Sequence, residues 1–249
     1  MIRLIDLTKV YNKTIAVDHI NLEVKTGSIM GFLGPNGAGK TTTIKMIAGI
    51  LKPTKGRIIL NGIDLLKEPE KAKKITGFIP DRPFLYERLT GKEFLEFVSE
   101  MYFVENPEKK IDEMLRKFEL EDFKDELIES YSHGMKQRIA FCAALIHDPE
   151  ILIVDEPTVG LDPKGIRMIK DVFKGLAKRG KTIFVSTHSL SFAEEIADEV
   201  AIINSGKLIA KGTLDQLKKK AGIDGDLENV FLKLTHEDLS SYQTKDSFF

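Results

Sequence analysis

The run GPNGAGKTTT, Gly34 to Thr43, packs three glycines into six residues and follows them with a lysine and three threonines. Gly, Pro and Asn disfavour regular structure, so this is a loop. Before it, SIMGFL (Ser28 to Leu33) is a short apolar run that reads as a buried strand. After it, Lys40 to Leu51 places Ile44, Ile47, Ala48 and Leu51 at a helical period. A strand, a glycine-rich loop and a helix in that order point to α/β layering and to a large negative ligand at the loop.

The loop spells G-x-x-x-x-G-K-T through Gly34, Pro35, Asn36, Gly37, Ala38, Gly39, Lys40 and Thr41. Glycines let the backbone turn its N–H groups inward as a nest with no Cβ in the way of a phosphate. The helix starting near Lys40 directs its positive end at the same point. Lys40 reaches the β- and γ-phosphates, and the Thr41 hydroxyl is placed to ligate Mg²⁺. The stretch implies a nucleoside triphosphate.

A second stretch supplies chemistry. ILIVDEP (Ile151 to Pro157) buries a strand with four apolar residues and delivers Asp155 and Glu156 at its carboxyl end, where open α/β sheets bind ligands. Asp155 is placed to hold Mg²⁺ through its water shell and Glu156 to polarise an attacking water as general base. Together they imply a hydrolase.

The remaining pattern fits around these two motifs. Residues 1–25 alternate as a β-hairpin about Asn12-Lys13, RIIL (Arg57 to Leu60) adds a strand, and TGFIP (Thr76 to Pro80) another. From Gly91 to about Ile146 the period is helical. Strands and helices then alternate through KTIFVSTH, SFAEEIAD and VAIINSGKLIAKG, and Thr213 with Gln216 forms a capping box. Such alternation with long apolar strands predicts a mainly parallel sheet covered on both faces, with the helical block inserted into it.

Composition excludes several classes. A net charge of −1 gives no global field for nucleic acid, and no apolar run approaches a membrane span. The N-terminus MIRLIDLTKV lacks the features of a signal peptide. The single cysteine, Cys142, sits in IAFCAALI, reads as a buried core residue, and suits a reducing cytoplasm.

Three further stations follow in order: YSHGMKQR (Tyr131 to Arg138) before ILIVDEP, then VGLD, then THS. With them the chain resembles the ATP-binding cassette (ABC) ATPases from about residue 2 to 235. The resemblance implies a P-loop NTPase (RecA-like) core with a mainly parallel sheet, an N-terminal antiparallel β subdomain and an inserted helical subdomain. It divides the chain into an ATPase domain over 1–220, with the helical subdomain at about 83–147, and a C-terminal helical extension over 221–249. It further implies ATP and Mg²⁺ as ligands and Tyr11 as the ring stacking on adenine. Thr42 falls at the α-phosphate contact and His188 at the switch histidine acting with Glu156 and Lys40. Asp162 falls in the loop crossing the dimer interface, and Ser132, His133, Gly134 and Met135 form the signature that caps ATP on a second cassette.

Three positions depart from the family pattern. Asp81 stands where a glutamine is usual; it retains an oxygen ligand for Mg²⁺ but adds negative charge. His133 replaces the signature's first glycine and Met135 its glutamine. These departures, and the tail DLENVFLKLT with Leu227, Val230, Phe231 and Leu234 on one helical face, resemble exporter-type cassettes that serve a separately encoded permease. The expected partners are therefore an integral membrane permease and a second cassette, with the protein peripheral on the cytoplasmic face of the membrane. A soluble cassette such as an iron–sulfur assembly type, and a weakly active regulatory cassette, remain as alternatives. The aromatics of PFLYERLTGKEFLEF (Pro83 to Phe97) either line a permease groove or pack the helical core, the core being the simpler reading.

Overall fold

The computed structural model describes residues 1–243, with side chains as far as Thr235. Strands β1 (Ile2–Tyr11) and β2 (Thr14–Val24) form the predicted hairpin. The central strand β3 (Ile29–Leu33) leads through the glycine loop to α1 (Lys40–Ile47). That helix stops short of Leu51, because the chain turns out of it at Ala48-Gly49, as glycine after a helix end favours. Then come β4 (Lys55–Leu60), β5 (Ile63–Asp64), α2 (Pro69–Lys74) and β6 (Thr76–Ile79). The helical block is α3 (Gly91–Met101), α4 (Pro107–Lys117) and α5 (His133–Leu145). The chain finishes with β7 (Ile151–Asp155), α6 (Pro163–Lys178), β8 (Thr182–Ser186), α7 (Leu190–Ile196), β9 (Glu199–Asn204), β10 (Lys207–Gly212), α8 (Leu214–Ala221) and α9 (Leu227–Gln243). Residues 244–249 of the expected C-terminal extension lie outside the described residues.

Two sheets result. An antiparallel one runs β2-β1-β4-β5, and a six-stranded one runs β10-β9-β3-β8-β7-β6, parallel throughout except for the β9–β10 hairpin. The mainly parallel sheet and the N-terminal antiparallel sheet are as expected. Strands β3, β7 and β8 are buried at every residue. Successive residues of β7 point into different cores: Leu152 and Val154 pack with the helical block and α6, Ile151 and Ile153 with α1 and the antiparallel sheet. This is the two-residue strand period serving a sheet covered on both faces, which is why ILIV has no polar position.

The helical block does not hold a core of its own. Phe118, Phe141, Phe173 and Phe192 run as consecutive ring contacts, with centroids 5.9, 6.0 and 6.4 Å apart, from the end of α4 through α5 and α6 to α7. Buried Cys142 lies in the same cluster, and burial pushes its thiol up, away from reactivity. The aromatics of 83–97 split between the two readings: Phe94 is buried, while Phe84 is 89% exposed and Tyr86 52%. A third cluster joins α8 and α9 to β9, β10 and α7, with Leu227 and Val230 fully buried and Phe231 and Leu234 half-buried against it. The apolar face read from the tail is thus a packed face. Among the described residues no helix is long and apolar enough to cross a membrane.

Candidate active site

The glycine loop joins two elements whose ends it must hold close. Gly39 caps α1 with φ 104°, and a Cβ there would lie 2.4 Å from the Ala16 carbonyl oxygen, so only glycine fits. No side chain caps this helix, which leaves its first-turn N–H groups to the loop's interior. Lys40 is buried to 8% exposure, and its Nζ donates to the carbonyls of Gly34 (2.7 Å) and Pro35 (3.1 Å). Burial lowers its pKa, against the pull of Glu156 and Asp155. An ammonium folded back onto its own loop is placed where a polyphosphate can take it over.

Parallel pairing sets Asp155 beside Ser186 at the carboxyl ends of β7 and β8. Asp155 accepts a hydrogen bond from Ser186 Oγ at 2.8 Å, and the Thr41 side chain lies nearby. Its pKa is raised, first by burial and further by the carboxylates of Glu156 and Asp81, with Ser186 and Thr41 opposing. Glu156 has left the strand with φ 52°, a left-handed conformation that costs a non-glycine residue of order 1 kcal/mol and that the surroundings must enforce. Its backbone N–H donates to Ser186 O at 2.9 Å. Its Oε2 receives Thr187 Oγ1 (3.2 Å) and the His188 backbone N–H (3.3 Å), and lies 2.8 Å from His188 Nδ1. Sequence reasoning missed Ser186 and Thr187; the polar run closing KTIFVST was the available signal.

One cleft of about 400 Å³ gathers Asn36, Gly37, Gly39, Lys40, Thr41, Thr42, Asp81, Glu156 and His188. Asp155 reaches it through Thr41, Gly34 and Pro35 anchor Lys40, and Ala38 is buried beneath. Ala16 also lines the cleft, but Tyr11 does not; it sits at the hairpin tip, 45% exposed, with Lys9 Nζ 5.1 Å from its ring centre.

The signature residues form a second, separate group. Ser132 caps α5 by accepting from the Met135 N–H at 3.3 Å, and Ser132 and His133 face solvent. His133 lies over Gly160, where an added Cβ would meet its Cδ2 at 1.7 Å, and Gly134 approaches the Gly160 carbonyl. Asp162 caps α6 through the Gly165 N–H at 2.8 Å and lies 3.5 Å from Arg138 of α5. Signature and Asp162 loop therefore meet each other, apart from the cleft.

The sequence profile of the ABC transporter family matches residues 17–159, more than half of the chain. The chain is an ATP-binding subunit of the ABC transporter family. It is 43% identical over 221 residues to the bacitracin transport ATP-binding protein BcrA of Bacillus licheniformis, covering 88% of this chain and 72% of that protein. It is 37% identical over 238 residues to the probable multidrug ABC transporter ATP-binding protein YbhF of Escherichia coli, covering 93% of this chain but only 41% of YbhF. A solved ATP-binding subunit of an ABC transporter superposes with a TM-score of 0.90 at 33% identity, covering 94% of this chain and 99% of that one. The cassette MJ0796, solved as a dimer in a post-hydrolysis state with ADP and Pi, gives 0.80 at 28%, over 86% of this chain and 99% of that one. Membership makes this subunit an ATPase.

Proposed function

We propose that this cassette hydrolyses ATP in the 400 Å³ cleft with Glu156 as general base, as one half of a nucleotide-sandwiching dimer that drives export through a separate membrane permease. The observation that carries the catalytic reading is the convergence on Glu156 Oε2 of three groups from Thr187 and His188, opposite the Lys40 loop. A carboxylate so held keeps one orientation, which a base needs in order to take a proton from water attacking a phosphate. His188, in contact with Glu156 and exposed to the cleft, is the group on which γ-phosphate state would register.

In this reading, the uncapped N–H groups of α1 and Lys40 bind the β- and γ-phosphates, Thr42 the α-phosphate, and Tyr11 the adenine face. The donors near Asp155 suit Mg²⁺. They are hard oxygens, the carboxylates of Asp155 and Asp81 repel without a cation, and the Thr41 hydroxyl lies near Asp155. No group of three His, Cys, Asp or Glu side chains able to hold a metal occurs among the described residues. Bound there, Mg²⁺ would neutralise charge developing on the transferred phosphoryl group.

The sandwich is supported by the solvent-facing Ser132 and His133, with half-buried Gly134 and Met135 following them and Asp162 beside them, and by the dimeric form of the related cassette. ATP must favour the closed pair by several kcal/mol over the open one to shift its population, on the order of 5 kcal/mol for a complete switch. For the permease, a groove of about 770 Å³ adjoins Asp81 and is lined by exposed Phe84 and half-buried Val98 and Tyr102. An apolar segment of a membrane protein docked there would feel Asp81 move. Transport is supported by the bacitracin-transport and multidrug-transporter names of the relatives; export, and a position on the cytoplasmic face of the membrane, belong to the proposal.

Replacing Glu156 by Gln tests the catalytic reading: ATP binding should persist, turnover should vanish, and an ATP-bound dimer should accumulate on gel filtration. Undiminished hydrolysis would reject Glu156 as the base. Co-purification from detergent-solubilised membranes tests the permease, and a Phe84→Asp variant that left association intact would count against the groove.

A further inference from the structure

The loop that holds Glu156 has two faces. One lines the nucleotide cleft. The other faces a smaller, half-open cavity of about 190 Å³ lined by Gly34, Pro35, Asn36, Thr187, His188 and Leu190, with Phe231 of α9 completing its wall. Asn36 and His188 line both spaces, so they form the partition between them. A residue of the C-terminal helix thus reaches to within one cavity's width of the phosphate loop and the switch histidine.

We propose that Phe231 is a positioning residue for hydrolysis, backing the Thr187–His188 segment so that it presents Glu156 in one orientation; the inference rests on Glu156 being the base. The helix that carries Phe231 is also tied to this segment through α7. Leu227 and Val230 anchor α9 in the third core with no exposure, and the Leu227 N–H reaches Glu194 Oε2 of α7 at 3.4 Å. Helix α7 begins at Leu190, one residue after the Ser189 cap, whose N–H donates to Thr187 Oγ1 at 3.1 Å. Thr187 is fully buried, so it moves only if its packing moves. Phe231 is only half-buried against the core that holds its helix, leaving part of the ring for the cavity wall. Without that ring, the segment gains room to withdraw from Glu156. The rest of the nucleotide cleft keeps its own supports, since Lys40 is held by Gly34 and Pro35 carbonyls and Asp155 by Ser186.

The test compares Phe231 with a residue of the same core on α8, in the full chain. Phe231→Ala should lower kcat for ATP hydrolysis about tenfold while KM for ATP stays within about twofold, because placement rather than binding is lost. Phe231→Leu should restore most of the rate. Leu217→Ala, which opens a cavity in the third core away from the cleft, should lower the melting temperature more than Phe231→Ala yet keep kcat when assayed well below that temperature. Full kcat in Phe231→Ala, or an equal loss in Leu217→Ala, would overturn the proposal. Glu156→Gln run alongside separates the two levels: if it is inactive and Phe231→Ala is unchanged, only the positioning role fails; if it still hydrolyses ATP, the base assignment fails and takes the positioning role with it.

Discussion

The carboxyl ends of β7 and β8 and the amino end of α5 both present polar groups, and they present them differently. Around Glu156 the groups hold one another: Ser186 on Asp155, Thr187 and His188 on Glu156, the loop carbonyls on Lys40. Around Ser132 the contacts are a helix-cap bond within α5 and the approach of His133 and Gly134 to Gly160, while Ser132 and His133 themselves face water. The first region is finished by folding. The second is built as a surface, and the difference teaches where this chain ends as a unit and where a second one would begin.

The sharpest way to break that contrast is Glu156→Gln, which should cut turnover by about 10²- to 10⁴-fold with ATP affinity retained, read by steady-state hydrolysis and nucleotide titration. Lys40→Ala should do the reverse, weakening ATP binding about 10- to 100-fold in calorimetry, because it removes a charge-assisted contact to phosphate. The signature side is probed by Gly160→Ala, whose Cβ collides with His133. It should lower turnover about tenfold while leaving ATP binding to the single cassette unchanged. Adding His133→Gly should relieve the collision, giving a non-additive pair coupled by about 1 kcal/mol in a double-mutant cycle.

Two smaller effects sharpen the comparison through stability. Asp155 has a raised pKa in the fold, mainly from burial, so its ionised form costs stability that is lost as pH rises from its unfolded value through its folded one. Asp155→Asn should therefore raise the melting temperature of the nucleotide-free protein near neutral pH while abolishing hydrolysis. His147, after α5, stacks on Tyr102 with ring centres 3.9 Å apart, and burial depresses its pKa from 6.5 to about 4. Between those values the unfolded chain takes up a proton that the folded one refuses, so stability falls as pH drops through that window. His147→Phe should flatten this part of the curve of melting temperature against pH.

Much of the fold could be read because its signals are local. Strand ILIVD, helix α6 and the Thr213–Gln216 capping box each follow from periodicity or from contacts three residues apart, and the box forms both its bonds, at 3.0 and 3.3 Å. The short β5 and α2 escaped, being two and six residues long, too short for a period to show. In the site, the motif residues from Asn36 to Thr42 fall together for the same local reason. Ser186 and Thr187 could not be found this way. They earn their place by parallel pairing of β8 with β7, across 31 residues of chain.

The sequence by itself determined the phosphate loop, the two carboxylates and the layering, because backbone conformation and hydrophobic period are properties of neighbours along the chain. Only the tertiary structure decided which side chains steady Glu156, that His133 lies on Gly160, and that Phe231 stands behind the switch segment. Those relations depend on strand order and on the packing of distant elements against shared cores, where a residue's partner is chosen by three-dimensional closure and carries no mark in the residues beside it.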